Sequence, residues 1–197
     1  MAAPRPGTVR IIGGRWRSRV LPVVDAPGLR PTTDRVRETL FNWLTHAFGG
    51  SFADRAVLDL YAGTGILGFE AASRGATPVT LVERDAAAVR RLHAARALLA
   101  AEAVEIRTGD ALSHARALQS TGRRFDLVLL DPPFGRGLLD EALPAAVSLL
   151  EPDGLVYVEA EAPVDPALLE RCALARYRAD KAGEVFYHLL QRNIEER

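Results

Sequence analysis

From residue 56 onward, short β-prone apolar runs alternate with helical periods, and this rhythm constrains the fold more than any other feature of the chain. AVLDLYAG (56–63) is an apolar strand running into a glycine-rich turn, and ILGFEAASRG is a helix that stops at Gly75. VTLVER is a second strand, followed by an Ala/Leu/Arg helix over 86–100, and VEIRTGD is a third. FDLVLLDPPF is the fourth and most apolar, which predicts a central position. A helix over 138–149 and a further strand, GLVYVEAE, come next, and ALARYRADKAGEVFYHLLQR suggests two strands turning at Ala182–Gly183. Such alternation predicts an α/β fold of the Rossmann-like kind: a mostly parallel sheet of seven strands, closed by an antiparallel hairpin at one edge and covered by helices.

The first 55 residues follow a different pattern. VRIIGGRWRSRVLPV places two β-prone runs around Gly13–Gly14, a hairpin signal. As a strand it would put Arg15, Arg17 and Arg19 on one face and Trp16 and Val20 on the other. After Pro31, Thr33 can cap a helix over about 33–47, with Val36, Leu40, Trp43 and Leu44 at helical spacing and Gly49–Gly50 ending it. The expected organisation is therefore a basic N-terminal arm over 1–32 and one Rossmann-like domain over 33–197.

Charge sharpens this division. The chain is neutral, yet residues 1–37 carry eight arginines against two aspartates, so the arm is strongly basic and the remainder acidic. That asymmetry points to a polyanionic partner. The clustering carries the argument, because all but one of the 25 basic residues are Arg in an Ala-rich chain, a bias of composition rather than of function. At 48% hydrophobic residues the chain is neither disordered nor low-complexity. The single cysteine, Cys172, excludes an internal disulfide or a cysteine-cluster metal site, and no metal is expected. With no apolar run of ~18 residues and no signal-like start, a cytoplasmic protein is expected. His46, His93, His114 and His188 are scattered and imply no site.

Ligands of open α/β sheets bind at the carboxyl ends of the strands, and four ends here are polar. Asp59 leads into Gly63-Thr64-Gly65, whose glycines let backbone approach a ligand and open a helix N-terminus. The second strand ends in Glu83, an acceptor for ribose hydroxyls, and the third in Asp110, an acceptor for an adenine amino group. Gly63, Gly65 and Gly68 also satisfy G-x-G-x-x-G, so the glycines alone leave a nicotinamide dinucleotide fold open. The fourth end, Asp131-Pro132-Pro133-Phe134, decides between them. Its prolines fix φ and remove two N–H donors, leaving rigid carbonyl acceptors beside a carboxylate, while Phe134 can stack on a base. Such a receptor orients an exocyclic amine whose lone pair is otherwise delocalised, and a methyl sulfonium held in line completes an SN2 transfer.

Together these motifs resemble class I S-adenosylmethionine-dependent methyltransferases, and DPPF resembles the (N/D)PP(Y/F) motif of their amino-methylating members. RIIGGRWRSRVLPV, GLRPTTDRVRETLFNWL, LDLYAGTGILGFEAASRGA, LDPPFGRGLL and VYVEAE closely resemble the RsmD family, from Arg10 to about Arg192. The resemblance implies an S-adenosylmethionine cofactor held by Asp59, Gly63, Gly65, Glu83 and Asp110, with Thr33 and Arg37 nearby. It implies a target-amine site at Asp131, Pro132, Pro133 and Phe134. RNA contacts are expected at Arg15, Arg17, Arg19, Arg30 and Arg35. The implied reaction is methylation of guanine N2, at guanine 966 of 16S rRNA, in the small subunit or its assembly intermediate, by a monomer. Tyr61 departs from the family, where Phe is common. Two rivals stand beside this reading. One is an amino-methyltransferase for adenine, cytosine or a protein glutamine. The other is a non-catalytic RNA-binding protein on the same scaffold.

Overall fold

The computed structural model describes residues 8–22 and 33–193. Two short strands, β1 (Thr8–Arg10) and β2 (Val20–Pro22), pair antiparallel, and helix α1 (Asp34–Ala47) follows. The alternating part then runs β3 (Val57–Asp59), α2 (Ile66–Ser73), β4 (Val79–Glu83), α3 (Ala86–Leu98), β5 (Val104–Thr108), α4 (Ala111–Ser120), β6 (Phe125–Leu130), α5 (Leu139–Val147) and β7 (Leu150–Ala160). It closes with α6 (Pro166–Arg171), β8 (Leu174–Ala182) and β9 (Val185–Arg192). The seven-stranded sheet has the order β5-β4-β3-β6-β7-β9-β8. Its first five strands are parallel, and β9 and β8 add antiparallel. The most apolar strand, β6, holds the middle as expected.

The order in which successive strands are added reverses between the parallel neighbours β3 and β6, and that switch opens a crevice at their carboxyl ends. One face of the sheet packs against α1, α2, α3 and the N-terminal hairpin, through Leu40, Phe41, Leu44, Phe69 and Leu92. The other face packs against α4, α5 and α6, through Ala115, Leu143, Ala146 and Leu168. Each fully buried Leu or Phe contributes roughly 1.5–3 kcal/mol, so both layers pin the strand ends in place.

The hairpin differs from expectation between its strands. Residues Gly14–Trp16 form a single 3-10 turn, so Arg15, Arg17 and Arg19 do not alternate along a strand, although all three are exposed. Val20 is 47% exposed and does not join Trp16 in the core. The cause lies in α2. The Trp16 amide donates to Ser73 Oγ at 2.9 Å, and that hydroxyl donates to the Gly13 carbonyl at 2.7 Å. Gly14, at φ +72°, rests so close to the Ser73 carbonyl that a Cβ would lie 2.0 Å from its oxygen. Val9, Ile11, Trp16 and Leu21 consequently share one core with α1 and α2.

Candidate active site

Five strand ends converge on a cavity of about 620 Å³, a volume typical of small-molecule sites. Asp59, Gly63, Glu83, Asp110, Asp131, Pro132, Pro133 and Phe134, each expected at the site from the sequence, all line it.

Asp59 sits at the floor, 2% exposed. Burial pushes its carboxyl up to about 7, neighbouring Glu83 adds to the rise, and hydrogen bonds from the backbone of Gly68 and Tyr61 oppose it. The turn above it narrows to Gly65, the N-cap of α2, at φ +74°. A Cβ there would meet Leu92 at 2.4 Å, so only glycine lets the turn close over α3. Gly65 therefore shapes the wall from behind, whereas Gly63 faces the cavity.

Glu83 is fixed by three backbone amides. Oε2 accepts from Gly63 at 2.8 Å, and Oε1 accepts from Arg84 at 2.8 Å and Asp85 at 2.7 Å. This carboxylate thus ties the glycine turn to the end of β4 and holds its remaining lone pairs in a set direction. Asp110 is exposed and caps α4, accepting from the Ser113 amide at 2.9 Å and its hydroxyl at 3.0 Å, contacts that hold its carboxyl below the usual range. It is helix cap and cavity wall at once.

Asp131 follows β6 directly. Burial, then the nearby Glu159 and Asp59, raise its carboxyl well above the usual range. Pro132 is buried and Pro133 exposed, and Phe134 stands 43% exposed at the rim. Gly135, at φ +73°, turns the chain and donates to Glu161 at 3.0 Å, anchoring the loop behind the phenyl ring. A charged floor, an aromatic rim and a glycine cradle suit a ligand that is part polar and part planar.

Not every expected residue reaches the cavity. Thr33 caps α1, its hydroxyl accepting from the Val36 amide at 3.4 Å. Arg37 is fully buried and committed elsewhere: it donates to the Arg10 carbonyl at 2.8 Å, pairs with Asp34 and lies 3.8 Å from Glu70. Neither residue lines the cavity, and the contacts of both are structural, those of Arg37 lying beneath the hairpin. Arg35 is exposed on the first turn of α1, and Arg15, Arg17 and Arg19 are exposed on the hairpin connection. Arg30 lies outside the described residues. The cavity also holds Glu159, Arg84 and Arg136, which sequence reasoning passed over. Glu159 is 4% exposed and accepts from the buried Tyr157 hydroxyl at 2.9 Å. Its one sequence signal was its place at the end of the strand GLVYVEAE. Among the described residues no group of His, Cys, Asp and Glu side chains is arranged to hold a metal ion, and no helix is long and apolar enough to cross a membrane.

Residues 9–191 match the family described as conserved hypothetical protein 95. The chain is 44% identical to ribosomal RNA small subunit methyltransferase D of Escherichia coli K12, covering 96% of this chain and 92% of that protein. It is 40% identical to the protein of the same name from Haemophilus influenzae, covering 94% of each. Its fold is similar to the solved structure of the Escherichia coli protein yhhF, with a TM-score of 0.80 at 43% identity over 96% of this chain and all of that one.

Proposed function

Because the chain belongs to the RsmD family, we propose that it transfers a methyl group from S-adenosylmethionine to the exocyclic N2 amine of a guanine in 16S rRNA. By the family resemblance the target is guanine 966, within the small subunit or its assembly intermediate, and the enzyme acts as a monomer. One observation carries the reading: Asp131-Pro132-Pro133-Phe134 opens into the same cavity as the glycine turn and Glu83.

The residues present fit the cofactor. Gly63 offers close backbone approach, Glu83 has oriented acceptors that suit ribose hydroxyls, Asp110 lines the wall with a carboxylate that suits an adenine amine, and Asp59 lies buried at the floor, where a nearby cation would favour its ionised form. S-adenosylmethionine supplies an electrophilic methyl on a sulfonium. At the other end, Asp131 and the rigid carbonyls of the proline pair accept the two amine hydrogens, which holds the nitrogen lone pair toward the methyl. Phe134 stacks on the base, which must be unpaired or flipped to enter. Arg15, Arg17, Arg19 and Arg35 hold phosphates from the exposed basic side.

The test incubates the protein and labelled S-adenosylmethionine with small subunits from a strain lacking the enzyme, with free 16S rRNA in parallel, and digests the RNA to nucleosides. Labelled N2-methylguanosine is expected. Label in methyladenosine or methylcytidine would overturn the choice of base, and label in protein the choice of substrate.

A further inference from the structure

Three carboxylates stand on one face of the sheet, inside the crevice. Val57, Leu129 and Tyr157 belong to the same core. Side chains two residues on share their face, which sets Asp59, Asp131 and Glu159 together. The β6–β7 register pairs Leu129 with Tyr157 and Leu130 with Val158. Continued by one residue, it puts Asp131 beside Glu159 on strands roughly 5 Å apart. Both line the cavity. Tyr157 donates to Oε1 of Glu159 from within the core, which fixes the direction of that carboxylate. Neighbouring carboxylates, here the buried Glu159 and the half-buried Asp131, repel each other, and Asp131 feels Glu159 as its strongest charged neighbour.

A substrate relieves that repulsion if it brings two adjacent N–H donors. Among the four RNA bases, only guanine has an amine next to a ring N–H on its pairing edge. Adenine has an acceptor, N1, beside its amine, and cytosine has an acceptor, N3, beside its own. An acceptor lone pair pointed at Glu159 would be repelled. We propose that Glu159 selects the base, accepting N1–H of guanine while Asp131 accepts the adjacent N2 amine. This rests on the guanine N2 reading above and adds the residue that enforces it.

The discriminating probe is 2-aminopurine, which keeps the 2-amine but carries a lone pair at N1. Once the methylated guanine has been mapped in the product RNA, small subunits are reconstituted with guanine or 2-aminopurine at that nucleotide. The wild-type protein should prefer guanine in kcat/KM by about 100-fold, the scale of a well-formed pair of base contacts. Glu159→Gln should narrow the preference to within about tenfold, because its amide can donate to the N1 lone pair. Tyr157→Phe, which loosens Glu159 without removing it, should narrow the preference by a smaller factor. S-adenosylmethionine binding by calorimetry reports whether each variant is folded, and Tyr157→Phe carries the test if Glu159→Gln does not bind. A wild-type preference retained in the folded variants, however slow they are, would overturn the assignment and leave Glu159 a structural group. A wild-type protein that labels some base other than guanine would instead sink the guanine reading, and this inference with it.

Discussion

A buried acid held near neutrality costs the folded state. Asp59 ionises at about 7 in the fold, against 3.8 for an ordinary aspartate. Between those values the native chain keeps a proton that the unfolded chain has released, so stability is greatest at low pH and falls as pH rises toward 7. The contribution is at most about 4 kcal/mol, at about 1.4 kcal/mol per pH unit. Thermal melts of the unliganded protein should therefore show this loss between about pH 4 and 7. Asp59→Asn should flatten that part of the profile and raise the melting temperature at pH 8 while weakening S-adenosylmethionine binding. A steeper profile in the variant would refute the account. Asp131, by contrast, is half-buried and has another task in the proposed reaction. Asp131→Ala should lower methyl transfer by at least about 100-fold while S-adenosylmethionine affinity stays within a few-fold, because it removes a contact made to the reacting amine. Turnover near wild type would remove Asp131 from the site. Both acids are legible in the sequence as strand ends followed by glycine or proline, signals that act within a few residues. Glu159 is not, since its meaning comes from lying beside Asp131 across a parallel register that joins residues far apart in the chain.

Elements were legible where their periodicity was local. β3 to β7 and the closing β8–β9 pair follow the apolar runs. Helices α4 and α6 leave little trace in the sequence, although Asp110 and Asp165 are their N-caps; α4 buries only Ala111 and Ala115, and α6 only Leu168 and Leu169. The N-terminal hairpin forms as its sequence suggests, but its connection does not: residues 15–19 alternate well enough for a strand, and hydrogen bonds to and from Ser73, some 60 residues away, override them. Arg37 likewise takes its place from a residue distant in the chain, Glu70 on α2. Glu70 also accepts from the Ile12 amide at 2.8 Å and from Arg74 at 2.9 Å, so one carboxylate fastens hairpin, α1 and α2 together. Arg37→Met should accordingly destabilise the fold by about 3 kcal/mol or more, because it strips a buried ion pair of one partner. Its effect on S-adenosylmethionine affinity, measured below the melting temperature, should be under threefold. A large loss of affinity in a stable variant would return Arg37 to the cofactor. Glu83→Ala should behave in the reverse sense, weakening cofactor binding in calorimetry with little change in melting temperature.

Across the whole molecule, five acids line the cavity at the strand ends, and Arg15, Arg17, Arg19 and Arg35 are exposed on the hairpin and the start of α1. The hairpin shares one core with α1 and α2. Arg15, whose guanidinium lies 4.0 Å over the Trp16 ring, and Arg17 and Arg19 are displayed by a turn bolted to α2 rather than by a loose tail. A rigid display presents its charges at fixed spacing, so each phosphate contact should register in the salt dependence of RNA binding, with a slope of about 0.7–0.9 per contact on a log–log plot. Replacing Arg15, Arg17 and Arg19 together by Gln should shallow that slope by about 2–3 and weaken association with small subunits at low salt. The difference from wild type should shrink as salt is raised, since screening removes the same interactions that the substitutions remove. S-adenosylmethionine binding and the identity of the methylated nucleoside should not change, because none of the three residues lines the cavity. An unaltered slope in a folded, cofactor-binding variant would leave the hairpin as a structural cover for α2 and transfer RNA binding to the rim around Phe134 and Arg136.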